Sequence, residues 1–195
     1  MSSLPIADRE RADARRNRER ILSAARRLLL VDGIDEVSMD DVAAEAGVGK
    51  GTLYRRFGDR SSLLRALIEE PERAFQDELI HGEPPLGPGV PPRERLHAFG
   101  SAYLAFLDAN APLLQAAEAL GQPERYVNPV YGFYRTHLLV LLRQALRDEP
   151  AIEYLADALM GVLSAVQFMH QRQARGMSLE ELQSGWCRLV DGVLA

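Results

Sequence analysis

The 195-residue sequence predicts an all-α protein. Apolar residues recur at spacings of three and four along nearly the whole chain. The interruptions fall at cap residues, prolines and glycines of helix-ending type. No run of alternating β-branched residues lies between hairpin turns.

The first helix is predicted from about Asp13 to Val31. Ile21, Ala25, Leu28 and Leu29 form one stripe, most of the arginines point elsewhere, and Gly33 supplies a stop. Ser38-Met39-Asp40-Asp41 has the Ser-x-x-acid form of a capping box. It opens a helix of about two turns with Val42, Ala43 and Ala46 inward, which Gly47 ends. A short helix then covers Gly51 to Phe57, and Asp59 caps a longer one with Leu63, Leu64, Leu67 and Ile68 inward. Pro71 marks a kink or a fresh start before Phe75, Leu79 and Ile80. Residues 81–92, with five prolines and three glycines, are expected to form an extended connector. Caps and prolines divide the remainder into helices near 93–109, 111–120, 129–147, 151–174 and 178–194.

Hydrophobic content of 47% suffices for one core or two small ones sharing a helix. No apolar run approaches the roughly 20 residues that span a membrane. The only cysteine, Cys187, excludes an intrachain disulfide. The start MSSLPIADRER lacks a signal-peptide core, so a cytoplasmic protein without membrane contact is expected. Net charge is −5, unevenly distributed: residues 1–65 carry 13 Arg/Lys against 11 Asp/Glu, whereas the rest carry 10 against 17. A surface for a polyanion is therefore expected near the N-terminus.

The stretch GVGKGTLYRRFGDR, residues 47–60, concentrates glycine and arginine where a helix should run. A phosphate loop would need Gly-x4-Gly-Lys-Ser/Thr after a strand, but Gly51 follows Lys50 and a capped helix precedes. Laid out at about 100° per residue, Leu53 and Phe57 define a buried side opposite Gly51 and Arg55. A helix presented edge-on to a groove would offer Thr52 and Arg55 to base edges, and Tyr54 and Arg56 to the phosphate walls. Gly51 would cost about 1 kcal/mol of helix propensity in exchange for close approach. Helix, glycine turn and short basic helix have the form of a helix-turn-helix.

The span VSMDDVAAEAGVGKGTLYRRFGDRSSLLRAL, residues 37–67, closely resembles the DNA-binding domain of TetR-family transcriptional regulators. The resemblance implies a three-helix head in which Tyr54 and Arg56 meet phosphates, Thr52 and its neighbours read bases, and Arg60 clamps the backbone. The full DNA-facing set is Ser38, Lys50, Gly51, Thr52, Tyr54, Arg55, Arg56 and Arg60. Gly49 stands where many relatives carry a capping serine. The resemblance also implies a helical body for ligand binding and dimerisation, dividing the chain into residues 1–60 and 61–195. Arg9, Arg11, Arg15, Arg16, Arg18 and Arg20 alternate with acids. They pair within the first helix or form an arm reaching the minor groove.

In the body, Ile152, Leu155, Leu159, Val162, Val166 and Met169 follow heptad spacing, as do Leu179, Leu182, Trp186, Leu189 and Val193. Leu155, Leu159, Val162, Val166, Leu182, Trp186, Leu189 and Val193 are the expected dimer seam, with packing onto the chain's own core as the alternative. Tyr103, Phe106, Tyr131, Phe133, Tyr134, His137 and Phe168, with Tyr126, either line an effector cavity or are plain core. His81, His97, His137 and His170 have no metal-ligand spacing and no nucleophile elbow occurs, so no metal, cofactor or catalysis is expected. The expectation is a homodimeric regulator, a repressor released from a palindromic DNA operator by a small molecule.

Overall fold

The computed structural model describes residues 6–33, 36–119 and 129–195. Every regular element among them is helical: α1 Ile6–Asp32, α2 Met39–Glu45, α3 Lys50–Phe57, α4 Arg60–His81, α5 Pro92–Ala119, α6 Pro129–Ala145, α7 Ile152–Val162, α8 Ala165–Met169, a π-turn His170–Ala174, and α9 Leu179–Val193. Tyr126 lies outside the described residues.

The chain divides into two compact units, Met1–Leu67 and Ile68–Ala195. The division falls inside α4, further along than the boundary expected at residue 60. In the first unit Ile21 and Ala25 of α1, Val42 and Ala43 of α2, and Leu53 of α3 are buried, as are Leu63, Leu64 and Leu67 on the first turns of α4. Arg27 ties α1 to α2 by donating from Nε and a terminal nitrogen to Glu45, at 3.1 and 3.0 Å. The second unit is built around Leu96, Phe99, Leu107, Tyr134, Leu138, Leu141, Leu142 and Leu159. α5 packs there against α6, α8 and α9.

Several expected helix limits are corrected. α1 begins at Ile6, ahead of the expected start near Asp13, so the stretch carrying Arg9 and Arg11 belongs to the first helix. α4 runs unbroken through Pro71. Proline cannot donate to the carbonyl four residues back, that of Leu67. The Arg26 guanidinium donates to that carbonyl instead, at 3.1 Å. α5 likewise continues past Pro112. Asn110, rather than capping a new helix, donates from its side-chain amide to the Phe106 carbonyl at 2.8 Å.

The helix expected over 151–174 is broken between Val162 and Ala165. Ser164 takes an extended conformation there, and its hydroxyl accepts from the Gln167 N–H at 3.1 Å, starting α8. The proline-rich connector is a folded turn rather than an extended link. The Gly87 N–H donates to the Glu83 carbonyl at 3.0 Å. A Cβ on Gly87 would lie 1.7 Å from the Gly82 oxygen, so only glycine lets these backbones meet.

Candidate nucleic-acid interface and body interior

Local chemistry fixes the helix-turn-helix. The Ser38 hydroxyl accepts from the Asp41 N–H, and the Asp41 carboxylate accepts from the Ser38 N–H at 3.0 Å, completing the capping box. The Ser38 hydroxyl also donates to the Asp41 carboxylate, and this bond, with that from the Ser38 N–H, holds the Asp41 carboxyl below the usual range. Gly47 takes a φ of +61°, a left-handed geometry suited to glycine. The Gly47 and Val48 N–H groups then return to the Ala44 and Ala43 carbonyls, closing α2.

Gly49 caps α3 with extended backbone but offers no side-chain acceptor. At Gly49 an added Cβ would meet only Thr52 Oγ1, at 4.0 Å. Gly49→Ser is therefore expected to raise the head's stability by a few tenths of a kcal/mol, seen as a small rise in Tm, while operator affinity holds or rises.

α3 is sharply two-sided. Leu53 is fully buried and Phe57 nearly so, whereas Gly51, Tyr54, Arg55 and Arg56 are exposed and Thr52 is half-buried. A side chain at Gly51 would meet nothing within 4 Å, so the glycine answers no need inside the chain. Lys50 is exposed but engaged: Nζ lies 2.5 Å from Asp40 on α2, which raises the ammonium pKa. Arg18 lies over the Phe57 ring, 5.8 Å from its centroid.

Among the expected DNA-facing residues, Lys50, Gly51, Thr52, Tyr54, Arg55 and Arg56 lie together on α3. Two others serve the head as well. The Ser38 hydroxyl is committed to the capping box, and Arg60 Nε donates to the Val37 carbonyl at 3.1 Å.

Within the body, Arg95, Phe99 and Tyr103 fall four apart on α5, while Tyr134 and His137 share a face of α6. Phe75 on α4 completes an aromatic cluster. The Phe99 ring centroid is 5.8 Å from Tyr103, 6.1 Å from Tyr134 and 5.4 Å from His137. Tyr103 meets Tyr134 edge-on at 5.1 Å, and Phe106 lies 5.8 Å from Phe75. Phe133 joins at the edge, 5.6 Å from Tyr134. Tyr131 is half-buried beside the core and Phe168 is buried in it. Phe75 and Phe99, central here, were not in the set singled out from sequence. The four-residue steps Phe75–Leu79 and Arg95–Phe99–Tyr103 carry the signal for them.

Arg95 Nε, Tyr134 Oη and His137 Nε2 are buried without a hydrogen-bond partner among the described residues. Burial pushes the Tyr134 phenol well above its ordinary pKa, with Tyr103 and Glu72 adding to the rise and the Gln76 side chain opposing it. Burial lowers His137 to about 4, and the charge of Arg95 acts in the same direction. The unfolded chain protonates this imidazole near its ordinary value of about 6.5, so acidification favours unfolding between the two values. The contribution is whole above pH 6.5 and is lost as pH falls toward 4. Between pH 7 and 5 the wild type is expected to lose about 2 kcal/mol more than His137→Gln, measured by urea unfolding.

The heptad positions do not form one surface. Leu159, Leu182 and Trp186 are buried in the chain's own core, a correction to the expected seam. Trp186 Nε1 donates to the Leu96 carbonyl at 2.8 Å, and its ring fills the space over Gly100. At about 100° per residue, the buried arc of α9 centres near Trp186 and Val190, and that of α7 near Ala156, Met160 and Leu163. The heptad stripe straddles the edge of each arc. Leu155 and Val193 are half-buried, whereas Val162, Val166 and Leu189 are exposed, as is Tyr154. Val162 and Leu189 border an open cleft of about 210 Å³.

Comparison with known proteins bears on both units. Residues 21–67 match the family described as bacterial regulatory proteins, tetR family. An HTH-type transcriptional regulator of Staphylococcus aureus is 30% identical over 172 residues, covering 87% of this chain and 90% of the relative. Two solved structures share the fold across both units. The fatty acid degradation regulator FadR from Bacillus halodurans has a TM-score of 0.69 at 20% identity, covering 90% of this chain and 95% of that one. The transcriptional regulator FadR from Bacillus subtilis, solved in complex with stearoyl-CoA, has a TM-score of 0.67 at 18% identity, covering 88% and 96%.

Proposed function

The chain belongs to the TetR family of bacterial transcriptional regulators, and on that premise we propose that it is a homodimeric repressor which a small molecule releases from a palindromic operator. One observation carries the DNA-binding part. α3 buries Leu53 and Phe57 and leaves Gly51, Tyr54, Arg55 and Arg56 exposed on its other sides. Thr52 and Arg55 then face base edges, Tyr54 and Arg56 face phosphates, and Lys50 exchanges Asp40 for a phosphate oxygen. Arg60 adds a backbone contact from the start of α4.

A two-fold operator requires two heads held at fixed spacing. Val162, Val166 and Leu189, with Tyr154, supply an apolar face that a second copy would cover. The effector acts from the body, whose interior holds three polar atoms without partners among the described residues, Arg95 Nε, Tyr134 Oη and His137 Nε2. It weakens DNA binding only by as much as it prefers the released conformation. The stearoyl-CoA held by the Bacillus subtilis relative makes acyl-CoA thioesters a first class to assay.

The test is a band shift with DNA flanking the protein's own gene, run with a scrambled duplex and with stearoyl-CoA, alongside light scattering. A retarded dimer complex on the flanking DNA alone is expected. Equal retardation of both duplexes would overturn the proposal.

A further inference from the structure

Resting on the homodimer reading, we infer that α9 pairs with α9 of a second copy in antiparallel register, about a two-fold axis between Ser184 and Gly185, so that Glu181 of each copy meets Arg188 of the partner subunit. The starting point is a stripe with no task inside its own chain. At about 100° per residue, Glu181, Gly185, Arg188 and Gly192 share one side of α9, turned away from Leu182, Trp186 and Val190. All four are exposed, whereas those three are buried. A Cβ at Gly185 would meet nothing within 4 Å, so a residue unfavourable within a helix serves no packing need of the chain itself. Arg188 makes no hydrogen bond or ion pair among the described residues.

Charge sets the direction of the pairing. Glu181 and Arg188 lie two turns apart, about 10 Å along the axis, so they do not pair within one helix. The Glu181 carboxylate accepts from the Ser178 N–H at 2.7 Å, which together with the Ser178 hydroxyl holds this carboxyl below the usual range. It retains lone pairs for a guanidinium. A parallel pairing would set Glu181 against Glu181 and Arg188 against Arg188, opposing like charges twice. The antiparallel pairing replaces both repulsions by two Glu–Arg pairs that the two-fold axis makes equivalent.

Packing agrees with charge. The register brings Ser184 and Gly185, both small and exposed, to the crossing point, where the backbones come closest. On the side of α9 toward α7, the exposed Val162 and Leu189 border the open cleft of about 210 Å³ together with Met177 and Glu181. A two-fold axis running across the helices keeps this side common to both copies. Leu189 of the partner subunit therefore falls beside the rim formed by Met177 and Glu181 and covers apolar surface there. Gly161, exposed next to Val162 and open around its own Cβ position, leaves room on α7 for the approach.

The experiment follows the mass of the intact protein and its variants by light scattering over a dilution series, with circular dichroism to confirm folding. Arg188→Glu sets carboxylates face to face at both ends of the crossing and is expected to raise the dimer Kd about tenfold or more without loss of helicity. Glu181→Arg is expected to weaken the dimer similarly. Mixed in equal amounts, the two variants are expected to form a heterodimer tighter than either homodimer, since each offers the charge that the other lacks. Independently, with Cys187→Ser as background, Ser184→Cys is expected to form a disulfide-linked dimer on oxidation, whereas Gln144→Cys, exposed on α6, is not. An undiminished dimer in Arg188→Glu, a mixture no tighter than its components, or an intact Ser184→Cys dimer that resists cross-linking would overturn the inference while leaving the homodimer reading in place. A wild type that stays monomeric at micromolar concentrations would refute both.

Discussion

Gly100→Ala is expected to destabilise the body by about 3 kcal/mol or more, lowering Tm by about 10 °C. A Cβ at this position would lie 1.9 Å from the Trp186 ring. The ring cannot yield cheaply, being 97% buried by its 3% relative exposure and held to the Leu96 carbonyl by a 2.8 Å hydrogen bond. Swinging it aside would break that bond and open a void in the core. Differential scanning calorimetry measures the loss. The double variant Gly100→Ala/Trp186→Phe should be more stable than the sum of its parts predicts, because the smaller ring relieves the overlap. Strict additivity would mean that the two residues do not share one space.

Arg55→Ala is expected to relax base preference, losing about 1–3 kcal/mol of discrimination at one operator position while binding to scrambled DNA changes little. Arg55 sits on the exposed side of α3, opposite the buried Leu53 and Phe57. Its planar guanidinium suits two acceptors on a guanine edge. Arg56→Ala, on the flank, is expected to weaken all duplexes similarly and to reduce the slope of log affinity against log salt by about 1. Fluorescence anisotropy on operator and scrambled duplex at several salt concentrations separates the two. Matching losses for both variants would contradict the assignment of one to bases and the other to phosphates.

The head was readable because its signals are local. Ser38 and Asp41 lie within one turn, Gly47 and Gly49 punctuate, and the Leu53–Phe57 step fixes which side of α3 is buried. The parts that sequence missed depend on distant partners. Pro71 reads as a kink or a fresh start unless Arg26 is known to reach the Leu67 carbonyl. Pro112 reads the same way until Asn110 is seen to bond back within its own helix. Trp186 on a heptad stripe suggests a contact between subunits, and only the hole at Gly100 turns it inward. The same stripe confuses burial with association, because Leu182 and Leu189 are seven residues apart yet only Leu182 is buried. In the body, Tyr103, Phe106 and Tyr134 were legible as aromatics on helical stripes. Their union with Phe75 and Phe99 depends on how α4, α5 and α6 pack, which periodicity does not encode.

The central claim is that the exposed edge of α3 enters the major groove twice on one two-fold operator. Guanine N7 lies in that groove, so methylation protection on the bound flanking DNA measures the claim directly. Two protected patches are expected, centred one helical turn or a multiple of it apart, with protection at one position in each lost in Arg55→Ala. A folded protein that retards the fragment yet leaves every guanine N7 open to methylation would contradict it.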